Sequence, residues 1–391
     1  MWRAVVAGKY KPETAAQLEI PKPGSQKTRR VNVFPIPDAA ISRLLHVELT
    51  RRFLPKFSRS SYAYRPDVSA QDAVIALGNV LRNQDRLYIA EFDFASYFDS
   101  INHSYLQALL TSGGQFAVSP AELHAVLALL HYRFAPRDGP WPPAPGSVLV
   151  NQSGTPQGNT ISLFIANVAC AALDEELERT GVWFARYADD LVAVARSYET
   201  ANAAVRGIQN HCTRAGLKVN WEKSPGIRLL TVAPRAELPV TRGVDFLGYR
   251  VTSTSIGPSS RTLRRVRRRL GSIINKNLIY YPSRGFFNHA RIDPSARDWD
   301  LVNCVNELRR YIYGRLTEDD ITASMTSTRN FGRRTGLMAY FPSSDSVDRW
   351  SKLDGWMLSA VLRAHRERSK LFSSQGVSIR AVSRRELMTG S

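Results

Sequence analysis

The chain has 391 residues, of which 43% are hydrophobic, and 53 Lys and Arg stand against 34 Asp and Glu, a formal net charge of +19. That is enough apolar chain for a sizeable core and for two or three domains or subdomains, which excludes a disordered protein. The basic excess points to a polyanionic partner, nucleic acid before an anionic membrane surface. No apolar run reaches the length of a membrane-crossing helix, and the opening MWRAVVAGKYKPE has too short an apolar core for a signal peptide, so no membrane partner and a cytoplasmic location are expected. Cys170, Cys212 and Cys304 are far apart and form no C-x-x-C pair, which argues against a disulfide framework or a zinc ribbon.

There is no internal repeat and no low-complexity tract. The early stretch IPKPGSQKTRRVNVFPIPD, with its Pro and Gly breakers, predicts short strands and a loop. Apolar residues from Ala39 to about Phe57 recur at helical spacing, and Gln71 to Leu81 does the same. RLYIAEFDFASYFDSI predicts a strand running into a turn, and SPAELHAVLALLHY at 119–132 a buried helix that opens on a Ser-Pro cap with Glu in its first turn. GPWPPAPG is a loop; residues 160–180 predict a long helix with Ile161, Phe164, Ile165, Val168, Ala172 and Leu173 on one face. A strand pair around Asp189, a helix at 199–215 and a strand ending in DFLGYRV follow. Beyond about 256 the texture becomes basic and helical: RTLRRVRRRLGSIINKN sets Leu263, Val266, Leu270 and Ile273 on one face with five arginines, 264, 265, 267, 268 and 269, around the rest. Further helices are expected at 299–316 and 350–368.

Asp189 and Asp190 sit side by side in the apolar run FARYADDLVAVAR. Burying a carboxylate is costly unless it is paired, hydrogen-bonded or bound to a cation, so the pair is either a solvated hairpin turn or a cation site. Asp93 ends the alternating strand Leu87, Ile89, Phe92, Phe94. One strand-end acid with an acid pair on a turn is an arrangement able to hold two magnesium ions, which activate an attacking hydroxyl and stabilise a leaving oxygen.

FDFASYFDSI, SGTPQGNTISLFIAN, RYADDLVAVA, GLKVNWEKS and FLGYRV resemble, in order and spacing, palm motifs A to E of reverse transcriptases, most of all the bacterial lineage of group II intron proteins, retrons and defence-associated enzymes. IPKP…RRVNVFPIPD and SRSSYAYRPDVSAQDAV are similar to that lineage's finger motifs, and LMAYFPSSDSVDRWSKLDGWMLSAVLR to its thumb. The resemblance spans about 18–365. It implies an α+β right-hand polymerase fold: fingers at 1–85, a palm with an antiparallel sheet and finger insertions at 86–255, and a basic helical thumb at 256–391.

It also implies roles. Asp93 and Asp189 are the principal ligands of two Mg2+ ions, for which Mn2+ can substitute, with Asp190 completing the cluster and the Phe94 carbonyl adding a ligand. Arg29 and Arg30 match the grip on the incoming triphosphate, a task suited to a planar guanidinium; which of them grips stays open. Phe98 stands at the steric-gate position, favouring deoxynucleotides and arguing against an RNA-dependent RNA polymerase. Gln157 contacts template or nucleotide, and Pro156 and Gly158 shape a turn where backbone nears the nascent base pair. Lys223 matches the motif D lysine. Small Ala188 lets the turn approach the primer end, and Tyr187 lines the site. Phe246, Leu247 and Gly248 belong to a primer grip, and Arg264, Arg265 and Arg268 lie among thumb arginines that follow a duplex backbone, where contacts carry affinity more than sequence.

Leu163 replaces the proline that many relatives carry after the serine of motif B, the retron VTG is not found, and no Cys/His-rich nuclease follows the thumb motif. The expectation is a free-standing bacterial enzyme with deoxynucleotides as substrates, a structured non-coding RNA as template, cDNA in an RNA–DNA duplex as product and antiphage defence as role. A template-independent or protein-primed DNA polymerase and a non-catalytic maturase-like RNA-binding protein are the alternatives.

Overall fold

The computed structural model describes residues 1–21, 28–139, 142–233, 236–284, 298–314, 335–374 and 376–389. Part of the basic finger stretch, at 22–27, and the end of the helix expected at 299–316 lie outside the described residues. The chain divides into two compact units, Met1–Arg242 and Gly243–Ser391, a division that falls before the 255/256 boundary read from the motifs.

In the first unit a short helix α1 (Trp2–Val6) precedes the antiparallel pair β1 (Ala15–Pro21) and β2 (Thr28–Val33). Helix α2 runs Ile36–Phe53, earlier at both ends than the spacing predicts. Pro37 in the first turn is the reason for the early start, since its missing N–H is unpaired there in any helix. Helix α3 (Ala70–Leu81) opens on a capping box between Ser69 and Asp72. Strand β3 (Leu87–Asp93) leads into a one-turn helix α4 (Tyr97–Ser100) and α5 (His103–Leu110). Helix α6 (Pro120–Leu130) starts where the Ser-Pro signal places it, with Ser119 and Glu122 forming a capping box.

Strands β4 (Arg133–Pro136) and β5 (Leu149–Val150) complete a sheet of order β2-β1-β4-β5. Helix α7 (Ile161–Arg179) is buried over most of its circumference, Asp174 included. Strands β6 (Trp183–Tyr187) and β7 (Asp190–Ala195), helix α8 (Tyr198–Ala215) and strands β8 (Gly226–Leu230) and β9 (Val240–Thr241) follow. The second sheet has order β6-β7-β3-β8-β9, with β3 central and antiparallel to both neighbours. Helix α8 packs on β3 and β7 and against α7 on one face of this sheet, and α3 packs on β6, with Ile89, Val192, Val194 and Leu229 of the alternate strand positions buried as well.

In the second unit, the expected single strand ending in DFLGYRV is instead two strands, β10 (Val244–Phe246) and β11 (Tyr249–Val251), with β12 (Ile256–Pro258) beside them. Leu247 and Gly248 form the turn with φ of 50° and 84°, the all-positive pattern of a tight hairpin turn. Helix α9 (Ser260–Asn275) buries Val266, Leu270 and Ile273, while Leu263 is only half-buried. A π-helical turn at Lys276–Tyr280 and the short α10 (Tyr281–Ser283) come next, then α11 (Trp299–Tyr313), α12 (Val347–Ser373) and α13 (Arg384–Thr389). Helix α12 is longer at both ends than the expected 350–368. No helix among the described residues is long and apolar enough to cross a membrane.

Candidate active site at the central strand and the Ala188-Asp189 turn

Strand pairing brings the acids together. β3 and β7 run antiparallel with Asp93 opposite Asp190, and Tyr187 pairs with Asp190 across the two-residue turn Ala188-Asp189. Ala188 has φ of 58°, a left-handed conformation that an alanine adopts only when its surroundings impose it. The surroundings are specific. Arg186, fully buried, donates from Nε and Nη2 to the Asp174 carboxylate at 2.7 and 2.6 Å, from Nη2 to Ser61 Oγ at 2.7 Å and from Nη1 to the Ala188 carbonyl at 3.2 Å. Burial works against the guanidinium charge, but Asp174 beside it outweighs this and holds Arg186 above its ordinary value. A buried ion pair thus ties α7, the loop carrying Ser61 and the turn into one piece.

Asp93 is held from the far side. Its Oδ2 accepts from Lys223 Nζ at 2.8 Å and from Asn220 Nδ2 at 3.0 Å, and its backbone N–H donates to Ser224 Oγ at 3.1 Å. Phe94 is buried and bridges Val219. Burial first, and then the Asp93 carboxylate, push Asp189 above the usual carboxylate range, against its backbone hydrogen bond and the charges of Lys223 and Arg29. Carboxylates are hard oxygen donors and suit magnesium. Among the described residues no group of three or more His, Cys, Asp or Glu is gathered as a metal site; the donors that fit are the Asp93 and Asp189 pair, with Asp190 in register beside them.

The predicted nucleotide residues separate. Arg29 is close enough for its charge to act on Asp189, whereas Arg30 pairs with Glu19 at 3.6 Å. Neighbours on a strand face opposite ways, which accounts for the split. Phe98 is half-buried against Tyr97 and Tyr64, at ring distances of 5.4 and 6.4 Å. Gln157 donates from Nε2 to Asp99 Oδ1 at 2.9 Å, and its carbonyl accepts from the Asn32 N–H at 2.7 Å. Gly158, with φ of 108°, is needed because a Cβ there would lie 2.6 Å from the Asn32 carbonyl oxygen; the backbone it lets approach is strand β2.

In the second unit Phe246 is core, and the Gly248 carbonyl accepts from Ser259 N–H at 2.9 Å and Thr262 Oγ1 at 2.8 Å. Arg264, Arg265 and Arg268 are exposed. The motifs did not single out Asn220, Ser224, Arg186, Asp174, Ser61, Tyr64 or Asp99 as site residues. Asn220 and Ser224 lie within GLKVNWEKS, and that segment was the available signal.

Residues 20–251 match the family described as reverse transcriptase (RNA-dependent DNA polymerase). The chain belongs to the reverse transcriptase family. Its mixed α+β architecture with antiparallel sheets is the right-hand polymerase fold of that family. Among solved structures, the chain is similar to telomerase from Candida albicans in complex with a TWJ fragment of telomeric RNA, with 14% identity, TM-score 0.47, and 94% of this chain and 64% of that one covered. It is also similar to apo telomerase from Candida tropicalis, with 12% identity, TM-score 0.47 and coverage of 93% and 64%, and to a form of that enzyme truncated of its C-terminal domain, with 14% identity, TM-score 0.44 and coverage of 63% and 55%. The chain therefore spans 55% to 64% of the length of these solved structures. A search of curated proteins finds no match.

Proposed function

We propose that the chain is an RNA-directed DNA polymerase that extends a primer with deoxynucleotides at the Asp93 and Asp189 carboxylates. One observation carries this: in a chain of the reverse transcriptase family, motif A and the motif C turn meet in register, with Asp93 opposite Asp190 and Asp189 in the turn that Tyr187 and Asp190 close. Magnesium bound there, or manganese in its place, supplies Lewis-acid stabilisation of the attacking and leaving oxygens.

The chain's own groups do the rest. Asp93, Asp189 and Asp190 present the negative oxygens, and Asp93 is oriented by Asn220 and Ser224. Arg29 is the better placed of the two finger arginines to clasp a triphosphate, since its charge reaches Asp189 while Arg30 stands opposite Glu19 across the strand pair. Lys223, an ammonium beside Asp93, offers a donor to phosphate oxygens as charge builds on them. Phe98 crowds a ribose 2′-hydroxyl, and Gln157 with Gly158 forms the floor for template and nucleotide. Tyr187 lines the site. The hairpin of Phe246, Leu247 and Gly248 supports the primer, and the α9 arginines follow the RNA–DNA duplex.

The template in this reading is a structured non-coding RNA, the host bacterial, the compartment the cytoplasm and the role antiphage defence; the support is the resemblance of the motifs to that lineage. Sequencing the cDNA made in cells, beside an Asp189→Ala, Asp190→Ala control, tests it. Product complementary to a bound RNA is expected. Homopolymer or random product points to a template-independent enzyme, and no difference from the control overturns catalysis. Unchanged phage plating after deletion of the gene and its flanking non-coding region overturns the defence role.

A further inference from the structure

The finger stretch SRSSYAYRPD contributes a residue to the site that the motifs leave without a role. Tyr64 has φ of 59°, a backbone conformation rare for a bulky side chain and worth explaining where it occurs. Both flanks are pinned. The Tyr62 N–H donates to the Arg186 carbonyl and the Arg186 N–H to the Ser60 carbonyl, each at 2.9 Å, and the Ala63 carbonyl accepts from Asn167 Nδ2 at 2.8 Å. Arg65 Nη1 donates to the carbonyls of Ser58 and Ser61 at 2.5 and 3.1 Å. The loop is fastened on either side of the one residue held in a strained conformation, and the outcome is the position of a single ring.

That ring stands edge-on to Phe98, with centroids 6.4 Å apart, and 6.2 Å from the ring of Tyr187. The opposite flank of Phe98 is already fixed. Tyr97 lies at 5.4 Å, itself buried and donating its hydroxyl to the Ala166 carbonyl at 2.5 Å, and the Phe98 carbonyl accepts from the Thr155 N–H. Tyr64 is thus the ring on the finger side that keeps Phe98 from turning away. Ordinary core packing would not need a left-handed tyrosine, because an extended residue with an apolar side chain fills space without strain.

We propose that Tyr64 is a specificity-determining positioning residue, which holds the Phe98 ring against the sugar of the incoming nucleotide and so sets the preference for deoxyribose over ribose. It acts through Phe98 and rests on the reading of Phe98 as the ring that excludes the 2′-hydroxyl. The hydroxyl of Tyr64 is pushed up to about 12, by burial first and then by Asp189 and Tyr187, so it stays protonated and adds no charge beside the acids.

The test is single-nucleotide primer extension by the full chain with the deoxy- and ribo- forms of one nucleotide. Tyr64→Asn removes the ring but tolerates the left-handed backbone, and Tyr64→Gly does the same should the first variant fail to fold. Tyr64→Asn is expected to lower the deoxy-to-ribo ratio of kcat/KM about tenfold, chiefly through better use of the ribonucleotide, and Tyr64→Phe to keep the ratio. Equal loss on both substrates with an unchanged ratio overturns the proposal, since a packing role alone behaves that way. Phe98→Val separates the two levels. If it abolishes discrimination while Tyr64→Asn retains it, the positioning role fails alone; if it too keeps the ratio, the reading of Phe98 fails and the proposal with it.

Discussion

Arg186 lies fully buried in the strand before the Ala188-Asp189 turn, bound to Asp174, Ser61 and the Ala188 carbonyl, whereas Arg264, Arg265, Arg268 and Arg269 on α9 are exposed and pair with no carboxylate among the described residues. The first arginine is neutralised within the fold and fixes geometry. The others are left for an outside partner to neutralise. Only Arg267 on that helix turns inward, over the Trp356 ring at 5.6 Å. One chain thus divides its positive charge: in the first unit it orders a strained turn beside carboxylates, and in the second unit it makes a surface suited to a phosphate backbone.

Asp174→Ala tests the buried side hardest. It leaves the Arg186 guanidinium uncompensated, so a loss of about 3–5 kcal/mol is expected in chemical or thermal unfolding. A loss near zero would mean that the pair does not hold the turn. His211 sharpens the same point from the other sign, because a group without a partner in this core must be neutral. Neither of its ring nitrogens has a hydrogen-bond partner among the described residues, and burial pushes its pKa down to about 3. The unfolded chain, with an ordinary histidine near 6.5, takes the proton first as pH falls. Stability is therefore full above about 6.5 and declines below it, by about 2 kcal/mol at pH 5. His211→Leu should flatten that slope in melts between pH 7 and 5, and an unchanged slope would contradict burial in the neutral form.

The exposed side gives the smallest effect on stability. Arg264→Ala, Arg265→Ala and Arg268→Ala together should shift unfolding by no more than about 0.5 kcal/mol for each site. Binding to an RNA–DNA duplex should weaken, and the dependence of log affinity on log salt should become shallower by about 0.9 for each phosphate left without its arginine. Destabilisation with unchanged salt dependence would make these arginines structural and remove the contrast with Arg186.

Much of this was legible from one chain. Helical periodicity located α3, α6, α7 and α8 within a residue or two, because their apolar faces and the Ser119 cap are local signals. The ordered motifs pointed to Asp93, Asp189, Asp190 and Lys223, which the structure brings together. What stayed hidden depends on partners distant in sequence. An arginine in a strand reads as surface until Asp174 is seen beside it, and Tyr64, Ala188 and Leu247 carry positive φ values that no residue type announces. Asn220 looks like an ordinary loop residue until its amide is found on Asp93. The split between Arg29 and Arg30 required the register of β1 against β2, which places Arg30 opposite Glu19.

In the proposed function, Asp93 and Asp189 make this chain a polymerase that copies RNA into DNA. Primer extension by the purified full chain on a defined RNA template, with magnesium and deoxynucleotides, tests it when run beside Asp93→Asn. Full-length cDNA complementary to the template is expected from the native protein, and at least about a thousandfold slower extension from a variant that still melts as the native protein does. Extension at the native rate by Asp93→Asn, or product that ignores the template, would contradict it.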